Sequence, residues 1–147
     1  MANLNLKGEY WNKEQNPHHP TAGLFTDWSK KNKEVFLKYF KVELFPGSLN
    51  VHFREPANLR ENLDQKIPGP LITIPAKEII DNPLGDGQAW RCLLQSEKIP
   101  DPINGWVFRR IGSRTPEGIL ELLFTVEIAK PYGLQDSDPI HLTLYEG

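Results

Sequence analysis

Four groups of side chains in this chain carry chemistry worth placing. Arg109, Arg110 and Arg114 form a local basic cluster beside Ser113. A guanidinium pairs with two phosphate oxygens at once, so the cluster suits a phosphate. It equally suits a solvated strand end paired with Glu117 or Glu97. Glu121 interrupts the apolar run Ile119-Leu120-Glu121-Leu122-Leu123. On a strand it faces away from Leu120 and Leu122; turned into a barrel, such a carboxylate needs a partner and becomes a site candidate, and turned to solvent it is ordinary. Ser48 and Asn50 stand two apart after Pro46-Gly47, so a hydroxyl and an amide share one strand face; the plain alternative is a tight turn with Asn50 capping a neighbouring loop. His18-His19 is an adjacent pair whose side chains diverge on an extended loop, which suits solvent better than a shared metal.

Other chemistries are excluded or weak. There is no P-loop, paired-cysteine zinc site, catalytic-triad order or dinucleotide fingerprint. The lone Cys92 has no internal disulfide partner, reads as a small core residue, and fits a reducing cytoplasm. A net charge of −2 offers no general field for nucleic acid. No apolar run is long enough to cross a membrane, and the first residues lack the order of a signal peptide. Trp11, Trp28, Trp90 and Trp106 could stack on a flat ligand, although large aromatics more often fill a small core.

The elements that must position these groups are short. At 147 residues the chain suits a single domain over 1–147, and its 13 prolines divide it into pieces better matched to a barrel than to a helix bundle. Val35, Phe36, Tyr39 and Phe40 recur at helical spacing after Asp27 and Ser29, which predicts one helix ending before Pro46-Gly47. Seven stretches read as strands: 4–11, 48–53, 71–74, 89–94, 105–109, 119–126 and 140–145. Pro-, Gly- and Asp-rich pieces at 81–87 and 97–104 read as connections, and 54–87 is the least legible part of the chain. The expectation is a mainly β, six-stranded closed barrel with one helix on its side.

Three segments, in order, resemble the CTP-dependent riboflavin kinases, a mainly archaeal family with a small six-stranded barrel. Phe45-Pro46-Gly47-Ser48-Leu49-Asn50-Val51 is similar to the family's PGTLN motif. Residues 107–123 look like its strand, basic stretch, threonine and glutamate-bearing strand. Gly133-Leu134-Gln135-Asp136-Ser137-Asp138-Pro139-Ile140 is similar to its closing turn and strand. The resemblance implies that Ser48 and Asn50 hold Mg²⁺ bridging the nucleotide phosphates, and that Ser113 and Glu121 contact the flavin. Two neutral oxygens hold Mg²⁺ only when phosphates supply the charge. CTP or another nucleotide would be the donor and riboflavin the acceptor, giving FMN, with Arg109 or Arg114 neutralising phosphate charge.

The chain departs from the family where a glycine-rich loop cradles the phosphates. Residues 16–25 read NPHHPTAGLF, so only Gly23 remains and two prolines each remove an N–H donor. Phosphate contacts from this loop would fall to Thr21 and Gly23, with His18 and His19 beside them. Two further readings therefore stand beside the kinase. One is a non-catalytic barrel that binds a flavin, a nucleotide or another small phosphorylated ligand. The other is a protein-interaction module, whose mark would be a filled barrel mouth with no pocket.

Overall fold

A computed structural model describes residues 3–12, 24–56, 58–81, 84–112 and 118–146. Within them the chain is mainly β. The strands are β1 (Asn3–Tyr10), β2 (Leu49–His52), β3 (Ile72–Ile74), β4 (Gly87–Ser96), β5 (Ile99–Arg110), β6 (Ile119–Leu123) and β7 (Pro139–Tyr145). Six of them close an antiparallel barrel in the order β4-β5-β6-β2-β1-β7, with β7 returning to the second half of β4. The first half of β4 carries β3 on the same edge, as an extra strand outside the ring. The expected six-stranded barrel is thus present.

Alternation decides what fills it. Leu49, Val51, Leu120, Leu122, Val107, Cys92, Leu142 and Leu144 sit in one buried cluster and fill the lumen. Cross-strand pairs such as Val51↔Leu120 and Leu94↔Leu142 join them across the ring. Burial pushes the Cys92 thiol far above its ordinary range, so it is an inert part of this core. The opposite faces of β4, β5 and β6 contribute Ala89, Phe108 and Leu123 to a second cluster, outside the barrel.

That outer cluster is covered by helix. The apolar stretch predicted as one helix forms two, α1 (Leu24–Lys31) and α2 (Lys33–Phe40), hinged at Asn32. Asn32 is fully buried; its amide donates to the Trp28 and Ile80 carbonyls and its Oδ1 accepts from the Ile80 N–H at 2.7 Å. A side chain committed to another segment's backbone in this way interrupts the helix while fixing it to the connection between β3 and β4. Phe36 and Phe40 then pack edge-on against Phe108 and Trp106.

The illegible segment supplies a further helix, α3 (Leu59–Lys66). Its Leu59 and Leu63, with Ile67, are fully buried in the lumen cluster and plug one barrel end. The Trp90 indole donates to the Ile67 carbonyl at 2.8 Å and ties the plug to β4. The largest differences from the expected strand limits are in β5 and β6. Residues 99–104 belong to β5, because the β4–β5 hairpin turns at Glu97-Lys98; and β6 stops at Leu123, where Phe124 leaves the ladder.

Candidate functional site

Among the described residues, the barrel end opposite α3 holds a cavity rather than a plug. There β1 and β6 end, β2 and β7 begin, and the chain from Phe124 to Gln135 loops around a cavity of about 680 Å³. That volume matches a nucleotide- or flavin-sized ligand. The loop's path depends on Gly105: a Cβ there would lie 2.5 Å from the Phe124 ring, so only glycine lets the ring fold over β5 as the chain leaves the sheet.

Ser48 and Asn50 stand on the cavity wall. Their turn is held from α1: Ser29 Oγ donates to the Thr26 carbonyl and accepts the Gly47 N–H at 3.2 Å. Gly47 has φ +116°, open to glycine, and a Cβ there would meet Thr26 Oγ1 at 3.2 Å. The next residues are thereby fixed, with Ser48 Oγ donating to Asn50 Oδ1 across 3.1 Å. Two oxygens in adjacent positions of an octahedral Mg²⁺, each at about 2.1 Å, lie about 3.0 Å apart, so the pair fits such an ion. Asn50 is 1% exposed, yet its Nδ2 has no hydrogen-bond partner among the described residues. An orphaned buried donor costs about 1–3 kcal/mol, and a ligand oxygen would relieve it.

Glu121 lies directly across the β2–β6 pair from Asn50, and Phe108 lies directly across from Glu121 on β5. All three therefore share the outer face. Glu121 points away from the filled lumen, into the seam between barrel and helices, and is partly buried. Arg110 is on the same face, stacked 4.5 Å from the Trp28 ring centroid. Burial draws its guanidinium below its ordinary range, and the nearby Glu121 charge works against that shift. Glu121 and Arg110 line a second cavity, about 290 Å³, beside α3.

Arg109 goes elsewhere. It donates through Nε to Gln88 Oε1 at 3.1 Å, pairs with Asp64 of α3, and covers the buried Trp90 ring at 4.8 Å. Its place is the plugged end, facing the smaller cavity; the Ser48–Asn50 pair is at the other mouth. Thr21, Gly23, Ser113 and Arg114, with His18 and His19, lie outside the described residues. Of the tryptophans, Trp11 lines the larger cavity and meets His52 edge-on at 5.4 Å, while Trp28, Trp90 and Trp106 pack under arginine or phenylalanine.

Several lining residues had no sequence signal. Thr26, Phe45, Val126, Glu127 and Lys130 read as ordinary helix, strand-end or loop residues until the chain closes. Phe45 (39% exposed) and Val126 (54%) are the partial exception, as open apolar side chains at a concave mouth. The far wall is pinned by Lys98, which reaches the Gly133 carbonyl at 3.0 Å and Asp138 at 2.7 Å. The Gln135 N–H foremost, and Lys98 with it, hold the Asp138 carboxyl below the usual carboxylate range. The Asn12 N–H also donates to Asp136 across the mouth, at 2.9 Å. Compared with protein-family models and with curated proteins, the chain matches none.

Proposed function

We propose that this chain is a riboflavin kinase-like transferase, moving the terminal phosphoryl group of a nucleotide such as CTP to the ribityl hydroxyl of riboflavin to give FMN. The observation that carries the reading is the Ser48–Asn50 oxygen pair, 3.1 Å apart at a cavity of about 680 Å³, with Glu121 one strand away. Ser48 and Asn50 would hold Mg²⁺, whose contribution is to neutralise charge on the phosphate oxygens. The protein's own part is positioning. Ser29 and Thr26 fix the Pro46-Gly47-Ser48 turn, and Asn50 Nδ2 donates to a ligand oxygen. Glu121, beside Asn50 in the sheet but lining the smaller cavity, would reach only a part of the acceptor that extends along the outer face. The phosphorus–oxygen bond to the leaving diphosphate breaks as the bond to the hydroxyl oxygen forms, and the hydroxyl proton is released. Such transfer needs alignment and charge neutralisation more than a covalent nucleophile.

A second reading, a barrel that binds a flavin or phosphorylated ligand without turnover, is favoured by the cavity wall itself. Its bulk is apolar, through Phe45, Phe124, Val126, Ile128 and Leu134, and Arg109 is engaged at the other barrel end. Titration calorimetry with riboflavin, FMN, CTP and ATP, each with Mg²⁺, separates the two. Binding of both a flavin and a nucleotide, lost in Asn50→Ala, with phosphate transferred from labelled CTP to riboflavin, supports the kinase. Flavin binding without nucleotide binding leaves the binding protein. No binding of either sinks the kinase and leaves the second reading only for a different phosphorylated ligand.

A further inference from the structure

The larger cavity has one cationic and one anionic side chain among the described residues that line it, Lys130 and Glu127. They do not pair with each other, and Lys130 has no hydrogen-bond or ion-pair partner among the described residues. The other cations considered for the site are, among the described residues, engaged or placed elsewhere. Lys98 is held by Gly133 and Asp138 behind the wall, and Arg109 and Arg110 lie at the smaller cavity.

The backbone beneath Lys130 is fixed. Tyr132 N–H donates to the Ile128 carbonyl, Gly133 N–H to the Lys130 carbonyl at 3.1 Å, and Leu134 N–H to the Ala129 carbonyl at 2.9 Å. Ile128 and Leu134, on either side, are buried in the lumen cluster. A long flexible ammonium on a rigid root at a cavity mouth suits a point charge that must follow a ligand's oxygens. Asn50 lines the same cavity, and its Nδ2 is a buried donor without a hydrogen-bond partner among the described residues. Two donors, one of them charged, with two neutral oxygens beside them, call for a ligand rich in anionic oxygen.

We propose that Lys130 binds the phosphate group of the ligand that occupies this cavity, supplying there the positive charge that Arg109 does not bring. The assignment rests on reading the cavity as a phosphate-bearing ligand's site. Without Lys130, Glu127 would be the one charged side chain among the described lining residues, and affinity for phosphates would fall.

The test is calorimetry on wild type, Lys130→Ala and Lys130→Arg, with Mg²⁺-CTP, inorganic diphosphate and cytidine as probes at two salt concentrations. Lys130→Ala should bind CTP and diphosphate about tenfold more weakly, with a shallower salt dependence, because one charged hydrogen bond is lost. Cytidine affinity should not change, and Lys130→Arg should recover most of the loss. Lys130 is exposed, so thermal melts of the variants should match wild type. CTP binding equal in wild type and Lys130→Ala overturns the assignment, even if the kinase reading stands. Diphosphate binding lost in Lys130→Ala, from a protein that binds neither CTP nor riboflavin, keeps the lysine and removes the kinase. A wild-type protein that binds none of the anions removes both.

Discussion

Replacing Asn50 by alanine should separate stability from binding. In most buried positions, truncating a hydrogen-bonded polar side chain destabilises the fold. Here the terms oppose one another. The variant loses the Ser48–Asn50 hydrogen bond, worth about 0.5–1.5 kcal/mol, and leaves a small void costing about 1 kcal/mol. It also removes a buried donor with no partner among the described residues, which returns about 1–3 kcal/mol. The expected net change without ligand is within about 1.5 kcal/mol of wild type, of either sign. With Mg²⁺ and CTP at a hundred times the dissociation constant, wild type should gain about 2.7 kcal/mol and the variant almost nothing. Urea denaturation with and without Mg²⁺-CTP measures both quantities in one set of curves. A loss above about 2 kcal/mol in the ligand-free protein would make the amide a structural group and refute the reasoning. So would equal stabilisation of both proteins by the ligand.

Two further outcomes follow from groups that frame the site. Arg109→Ala should lose roughly 2 kcal/mol of stability, from the bond to Gln88, the cover over Trp90 and a small share from the half-exposed Asp64 pair, while ligand affinity at the far mouth stays unchanged. Paired urea melts and calorimetry check it; intact stability with a tenfold loss of CTP affinity would return Arg109 to a phosphate role. Asp138, held below its ordinary value of 3.8, stabilises the folded wall in full above that value and loses the contribution as pH falls through the depressed folded value. Stability measured against pH should therefore drop less steeply in acid for Asp138→Asn than for wild type; parallel curves would show that Asp138 does not tie the wall.

The barrel was legible because its signals are local. Alternation in Ile140–Tyr145 and the apolar run at 119–123 survive in the structure as β7 and β6. The third helix was not legible, because Leu59-Arg60-Glu61-Asn62-Leu63-Asp64-Gln65-Lys66 shows only two apolar positions, and what makes them core is the open barrel end they enter. The break at Asn32 has the same origin, since its partner Ile80 is 48 residues away and no local pattern names it. Of the site, the Ser48–Asn50 face was readable from period two alone. Glu121 was readable only as a choice between lumen and exterior, which the register across from Asn50 and Phe108 decides.

The same register explains why a site belongs on this outer row. A six-stranded barrel lined by leucine, valine and tryptophan leaves ligand space at its mouth, where Leu49, Leu122 and Leu134 of the lumen cluster meet the polar edge of β2. Polar groups on the lumen face would be buried without partners, whereas the outer face lies between the sheet and a helical layer that covers only part of it. Asn50, Glu121 and Arg110 lie on that face, with a cavity at each end of their strands. On the proposed reading, the wall at the Ser48–Asn50 end is completed by ligand oxygens that meet the Asn50 amide.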